Sequence, residues 1–450
     1  MPMPNHDAPK PDRDLATTTS AGSAASAASA ADRTASLVAA DRATVLQAYA
    51  RPPIVFERGE GAWLFDVAGR CYLDFTAGIA VNALGHADPE LAAAIADQAT
   101  RLIHTSNLYH TTPYIRLAQR LVRRSFADRV HFANSGAEAI EAALKFARKH
   151  ARTVRGESEA SPAWTALGQP DEATGVWSRA WRLVAFEGAF HGRTIGALSA
   201  THKPAYRASF APLVPGVAFA PFNDVEAAAA AITDETLAVL VEPIQGEGGY
   251  VPATLAFMHA LRARCDAVGA LLILDEIQCG LGRTGHLFAY EMYGVKPDMV
   301  CLAKPLAGGL PIGAVLMTEA VAAAIAVGDH GSTFAGGPLV CRAAEVVLDR
   351  VSDPAFLAAV RARGMRLVEG LLALGSPHVV DVRGAGLMIG VELDLPVKGV
   401  IDAAREAGVL LIGAGERVLR LCPPLIVSDE QVDEAVAVIG QAIDAAAGVW

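Results

Sequence analysis

The chain has 450 residues, 52% of them hydrophobic and 19% charged, with a formal net charge of -10; at about three times a typical domain's length it should form two domains or one large lobed domain, and this composition excludes a disordered chain. The acidic balance, with arginines scattered among acids, leaves no basic face interleaved with aromatics and excludes a nucleic-acid partner. No stretch reaches the roughly 18 uninterrupted apolar residues of a membrane helix, and six cysteines (71, 265, 279, 301, 341, 422) without a CxxC pair read as reduced, buried thiols of a cytoplasmic protein, with no disulfide framework and no metal site.

Residues 1 to about 35 are low-complexity Ala/Ser/Pro with both charge signs, expected to be a disordered tail. Asp7, Asp12, Asp14 and the missing apolar block count against a signal peptide there. From Val55, VFERGEGAWLFDVAGRCYLDFTAG predicts short strands broken by Gly turns, a small meander. Helical patterns such as Ile140, Ala143, Leu144 and Ala147 (i, i+3, i+4, i+7) then alternate with short apolar runs: RVHFA, RLVAFE, LAVLVE, ALLILD and DMVCLA. Runs of that length separated by helices predict a parallel sheet covered on both faces, an α/β fold. Residues 151–180, rich in Gly, Ser, Pro and Trp, read as a surface insertion. After about residue 340, helices precede VRGAGLMIGVEL and VLLIGAGERVLRLCPPL, which predict an α+β C-terminal lobe.

In doubly wound sheets ligands bind outside the carboxyl ends of the strands. RVHFA is followed by a small-residue turn, Ser135, Gly136 and Ala137, leading into an amphipathic helix. Its free N–H groups suit a phosphate, although Ser135 with Glu138 also makes an ordinary capping box. RLVAFE leads to GAFHGRT, where Phe190 can cover an aromatic ligand and Arg193 can grip a carboxylate; a core Phe and a surface Arg fit equally. LAVLVE continues as PIQGEGG, placing Glu242 and Glu247 on a Gly-rich loop, although isolated carboxylates are more often structural. ALLILD ends on Asp275, costly to bury without a cationic partner, with Gln278 three residues on. GLGRTG (280–285) fits GxGxxG, yet the glycines do not directly follow the strand and the next strand ends on a lysine, so a dinucleotide site is rejected.

That lysine is Lys304. Five apolar residues precede it and PLAGG follows, so its side chain has no helix face to lie on. A partly desolvated lysine near another positive group loses its proton more easily and becomes a nucleophile toward aldehydes. One ligand uses all these parts. Pyridoxal phosphate needs an amine for a Schiff base, an acid that keeps the pyridine nitrogen protonated, and a phosphate cup.

NSGAEAIEAALKFAR, FHGRTIGALSAT, VEPIQGEGG, LLILDEIQCGLGRTG, LAKPLAGGLPIGA, HGSTF and LRLCPPL together resemble the class III (ornithine-type) aminotransferases of the fold-type I pyridoxal-phosphate enzymes, over nearly the whole chain from about residue 50. The 29-residue step from Asp275 to Lys304 matches that family's spacing. The resemblance implies a large domain (106–340) with a mostly parallel sheet covered by helices, and a smaller α+β domain drawn from both chain ends (36–105 and 341–450). Lys304 would carry the cofactor, Asp275 would face the pyridine nitrogen and Gln278 would lie near the ring hydroxyl. Ser135, Gly136 and Ala137 would hold the phosphate, and Phe190 would stack on the ring. Thr333, in HGSTF beside Ser332, would reach the phosphate of a partner subunit's cofactor, which implies a homodimer with shared active sites; Ser332 is placed with the substrate.

Arg193 would bind the substrate α-carboxylate. Arg420 would pair with Glu247 as a switch, closed for an ω-amine donor and open for glutamate or 2-oxoglutarate. DFTAGIAVNALGH and HTSNLYHTTP are most similar to acetylornithine-type members, in which SN lies near the substrate, adding Ser106 and Asn107. Pro305 and Gly337, where many relatives have Gly and Asn, depart from the pattern. The implied reaction moves the δ-amino group of N2-acetylornithine to 2-oxoglutarate, giving N-acetylglutamate 5-semialdehyde and glutamate, a step of arginine biosynthesis. Ornithine, succinylornithine, 4-aminobutyrate or aminoadipate-semialdehyde-type substrates, or an aminomutase or racemase reaction, stand as alternatives.

Overall fold

The computed structural model describes residues 22–154 and 181–448, which fall into two units. One runs to Gly59 and includes Trp63–Tyr72; the other includes Glu60–Ala62 and continues from Leu73. In the first, the chain is helical over Gly22–Thr44, where a disordered tail to about residue 35 was expected; residues 1–21 of that tail lie outside the described residues. Alanine has the highest helix propensity, so an Ala-rich stretch can coil even where it has little apolar surface to bury. Arg33 pairs with Glu57 at 2.6 Å in this unit. The expected meander forms as Phe56–Glu60, Trp63–Asp66 and Cys71–Asp74.

The second unit is built on seven strands: β1 (Arg129–Ala133), β2 (Arg182–Phe186), β3 (Val217–Ala220), β4 (Thr236–Val241), β5 (Leu271–Asp275), β6 (Met299–Leu302) and β7 (Gly313–Met317). Their spatial order is β1-β7-β6-β5-β4-β2-β3. The strands from β3 to β6 are mutually parallel, while β7 runs antiparallel to both β6 and β1. Each apolar run became a strand because both faces are covered. Leu183, Ala185, Leu271, Ile273, Met299, Cys301 and Val315 pack with Ile140, Ala143, Phe146 and Ala147 of the helix Gly136–Val154. On the opposite face the Phe186 ring meets Phe257 of the helix Leu255–Val268, with centroids 5.1 Å apart. Sequence periodicity missed β3 and β7, each a run of five residues or fewer. The insertion expected at 151–180 lies mostly outside the described residues, since 151–154 complete a helix and description resumes at 181.

Beyond residue 340 the expected α+β pattern holds. An antiparallel sheet runs in the order Val379–Ala385, Met388–Leu393, Val418–Leu421, Ile412–Ala414, with helices Pro354–Ala373, Val397–Glu406 and Asp429–Ala447. Arg420 sits on an inner strand of this sheet, opposite Gly390 and Ile412. Among the described residues no helix is long and apolar enough to cross a membrane. All six cysteines are unpaired, and all but Cys71 are buried.

Candidate active site

The carboxyl ends of β1, β2, β4, β5 and β6 open onto one cavity of about 470 Å³, a volume ordinary for small-molecule sites. Its lining takes Ser135, Gly136 and Ala137 from the turn after β1, Phe190 and Arg193 from the segment after β2, and Glu242 and Glu247 from the loop after β4. Asp275 and Gln278 follow from β5 and Lys304 from β6.

Lys304 opens a short 3-10 turn, Lys304–Ala307, directly after β6. Because β5 and β6 are adjacent and parallel, with Asp275 opposite Cys301, the sheet register itself delivers the amine and the acid to one place. Burial lowers the pKa of the Lys304 ammonium; Asp275 and Glu242 pull the other way and do not restore it. A neutral amine is therefore more accessible here than on an ordinary surface lysine.

The partner that Asp275 needs is His191. Its Nδ1 lies 2.7 Å from Asp275 Oδ2, and the Ile277 N–H donates to Oδ1 at 3.1 Å. With the proton on Nδ1, His191 fixes the carboxylate's orientation, while its buried Nε2 has no partner among the described residues. Glu242, also buried, accepts the Phe190 N–H on Oε1 at 2.9 Å and the Gly246 N–H on Oε2 at 2.8 Å, tying the Phe190 segment to the Gly-rich loop. Burial pushes its carboxyl up to about 7, with Asp275 adding to the rise and His191 and the two N–H donors opposing it.

At the β1 turn, Ser135 Oγ accepts the Glu138 N–H at 3.2 Å, but the Glu138 carboxylate reaches back to the N–H of Asn134, at 2.7 Å, and not to that of Ser135. Only half of a capping box forms. Ser135 takes up the N–H groups of Glu138 and Ala139, but those of Gly136 and Ala137 have no intrahelical acceptor and are at the disposal of an anion. Gly136 packs closely there: a Cβ would lie 2.9 Å from Ile277 Cδ1, so the Ile277 side chain would have to shift.

The two arginines are held differently. Arg420 is buried behind Glu247: its Nη1 donates to Glu247 Oε1 at 2.7 Å and to the Gly246 carbonyl at 3.2 Å, and its Nε donates to Gly413 at 3.2 Å. Burial disfavours its charge, but Tyr250 and Glu247 outweigh that and raise its pKa. Arg193 is exposed in the cavity wall. Its guanidinium carbon sits 3.4 Å from the centre of the Tyr206 ring, and among the described residues it makes no ion pair.

Thr333, Ser106 and Asn107 do not reach this cavity; they line a second, small one together with His104 and Tyr114. Asn107 Nδ2 donates to the carbonyls of Ser332 and Ala335 at 3.0 and 3.1 Å. Ser332 Oγ accepts from Asn134 Nδ2 at 2.8 Å, which links HGSTF to the turn after β1. Sequence reasoning missed His191, although an acid in need of a partner and an imidazole beside Phe190 were both visible. It also missed Val81 and Ile277 as cavity walls. In GLGRTG, Arg283 is fully buried and donates to the carbonyls of Leu387 and Pro423 at 3.0 and 2.6 Å, so that glycine turn serves the fold.

The residues present fit pyridoxal phosphate. They supply an amine of lowered pKa, an anchored buried acid, an aromatic face, free N–H groups at a helix start, and a buried acceptor without a partner among the described residues, Gln278 Oε1. A family model described as aminotransferase class-III matches residues 45–443. The chain is 50% identical to a mitochondrial acetylornithine aminotransferase of Alnus glutinosa over 401 residues, covering 88% of this chain and 85% of that one. It is 45% identical over 406 residues to a succinylornithine transaminase of Yersinia pseudotuberculosis, covering 89% and 94%. The ornithine aminotransferase from Toxoplasma gondii superposes with a TM-score of 0.85 at 32% identity, covering 93% of this chain and 96% of that one.

Proposed function

As the chain belongs to the class III aminotransferases and so works with pyridoxal 5′-phosphate, we propose that it moves the δ-amino group of N2-acetylornithine to 2-oxoglutarate. The observation that carries this is the unequal state of the two arginines: Arg193 is open and Arg420 is masked by Glu247. Such a pocket offers one carboxylate site to a donor and can uncover a second for a dicarboxylate acceptor. An uncharged acyl group suits the masked state better than a succinyl group, whose extra carboxylate would face Glu247. Succinylornithine is the second reading, favoured by the relative at 45% identity.

The bound cofactor supplies an aldehyde that accepts the amine and a ring that takes up the electron pair released at the donor carbon. Ser135, Gly136 and Ala137 hold its phosphate through backbone N–H groups, and Phe190 covers its face. Asp275, oriented by His191, would keep positive charge on the pyridine nitrogen, and Gln278 would bond the ring hydroxyl. Lys304 would hold the cofactor's aldehyde, and its amine, whose pKa burial lowers, would take the proton from the donor carbon. Arg193 orients the donor by its α-carboxylate. When 2-oxoglutarate enters, Glu247 swings aside and Arg420 takes a carboxylate.

Thr333 would serve the phosphate of a second copy's cofactor, with Ser106, Asn107 and Ser332 on the same rim, so the working unit is a homodimer. Six unpaired cysteines suit a reducing cytoplasm. A donor panel against 2-oxoglutarate tests the substrate: kcat/KM should be highest for acetylornithine, ahead of succinylornithine, ornithine and 4-aminobutyrate. Last place for acetylornithine would refute the substrate and leave the class intact. Borohydride trapping should label Lys304.

A further inference from the structure

We propose that Tyr206 is a positioning residue for substrate selection: its ring is the platform that keeps the Arg193 guanidinium spread open toward the cavity with its hydrogen-bonding edges unspent. The inference rests on the donor-binding role given to Arg193 above. The guanidinium carbon lies 3.4 Å from the Tyr206 centroid, a stacked approach, against 5.5 Å from Phe190. Stacking satisfies the face of a guanidinium and leaves all its N–H groups, which lie in the plane, free for a carboxylate.

The alternative way of storing an arginine is present in the same molecule: Arg420 spends Nη1 and Nε on Glu247, Gly246 and Gly413. An arginine kept that way must be released before it can bind. One kept on a ring is ready at all times. Tyr206 is itself held. Phe190 meets its ring edge-on at 6.4 Å and 85°, and Lys203 Nζ lies 4.6 Å from the ring centre and 3.4 Å from the hydroxyl. The platform is thus braced by the same Phe190 that walls the cavity, which sets Arg193 in register with the rest of the site.

The test is the donor half-reaction of the loaded enzyme, followed by its absorbance change over a range of acetylornithine concentrations. Tyr206→Leu removes the ring and is expected to raise the concentration for half-maximal rate about five- to tenfold, as loss of a cation–π contact implies. The rate at saturation should stay within about twofold, because a uniform binding contact sets the former and not the latter. Tyr206→Phe keeps the face, loses only the hydroxyl, and should behave as wild type. Combining Tyr206→Leu with Arg193→Ala should add nothing to Arg193→Ala alone.

Equal impairment of the Phe and Leu variants, a fall in saturated rate alone, or no change with Tyr206→Leu would overturn the inference. A silent Arg193→Ala would instead overturn the role of Arg193 itself. Should Tyr206→Leu unfold, Tyr206→Met, unbranched and longer in reach, gives the same comparison with the same two outcomes.

Discussion

Two buried acids lie next to each other at the end of β5 and have opposite fates. Asp275 is anchored by His191 and the Ile277 N–H, and faces the cavity. Glu276 points away and accepts the N–H groups of Ala289 and Tyr290 at 2.6 and 2.7 Å. Burial pushes the Glu276 carboxyl from 4.5 up to about 8, the two donors only partly resisting, with Glu291 and Asp275 adding to the rise. Between those two pH values the folded state holds a proton that the unfolded state has lost. The contribution of Glu276 to stability is therefore complete below about pH 4.5 and drains away as pH rises toward 8, by at most roughly 1.4 kcal/mol per pH unit. Glu276→Gln should flatten that part of the stability profile, read from denaturant midpoints at the two ends of the window; an unchanged slope would show that Glu276 is charged throughout.

At the level of elements, β7 decides where the turn after β1 lies. Gly313 is opposite Ala133, and a Cβ on Gly313 would come 2.3 Å from the Ser135 carbonyl oxygen. That oxygen is backbone and cannot rotate away. Gly313→Ala should therefore shift the turn, cost about 1–3 kcal/mol of stability, and weaken cofactor retention more than a surface change would, as read by thermal unfolding and by titration of the apoprotein. An unshifted cofactor affinity would detach the turn from phosphate binding. β7 also marks the boundary of what the sequence could say. The parallel strands other than β3 were legible because apolar runs alternated with amphipathic helices, and the last residue of each could be read for chemistry. β7 is five residues directly after PLAGGLPI, and its antiparallel pairing on both sides has no signature in periodicity. His191 and Tyr206 were hidden for a related reason: their meaning lies in contacts between segments far apart in the chain, such as His191 with Asp275. Conversely, the Glu247–Arg420 pair was expected from resemblance and is found closed at 2.7 Å.

On the scale of the molecule, the rim that carries Ser106, Asn107 and Thr333 is unusually apolar for a surface. Leu108, Tyr109 and Phe334 expose 84%, 72% and 67% of their area. Large apolar side chains gathered on a rim mark an interaction face, and a second copy is the occupant that would bring Thr333 to another phosphate. Replacing Leu108 and Tyr109 together by Asp should give a monomer in sedimentation that keeps its fold but holds pyridoxal phosphate more weakly; a dimer of unaltered absorbance would exclude this face. The cavity, for its part, is walled by residues from Val81 to Ile312 and exists only once the whole sheet has closed. A vitamin derivative that binds there binds nothing in the unfolded chain, so by mass action it holds the polypeptide folded, by about 4 kcal/mol at a thousandfold excess over its dissociation constant. A cell starved of that vitamin would thus surrender the polypeptide to its proteases, and scarcity would be felt first as fewer molecules and only second as idle ones.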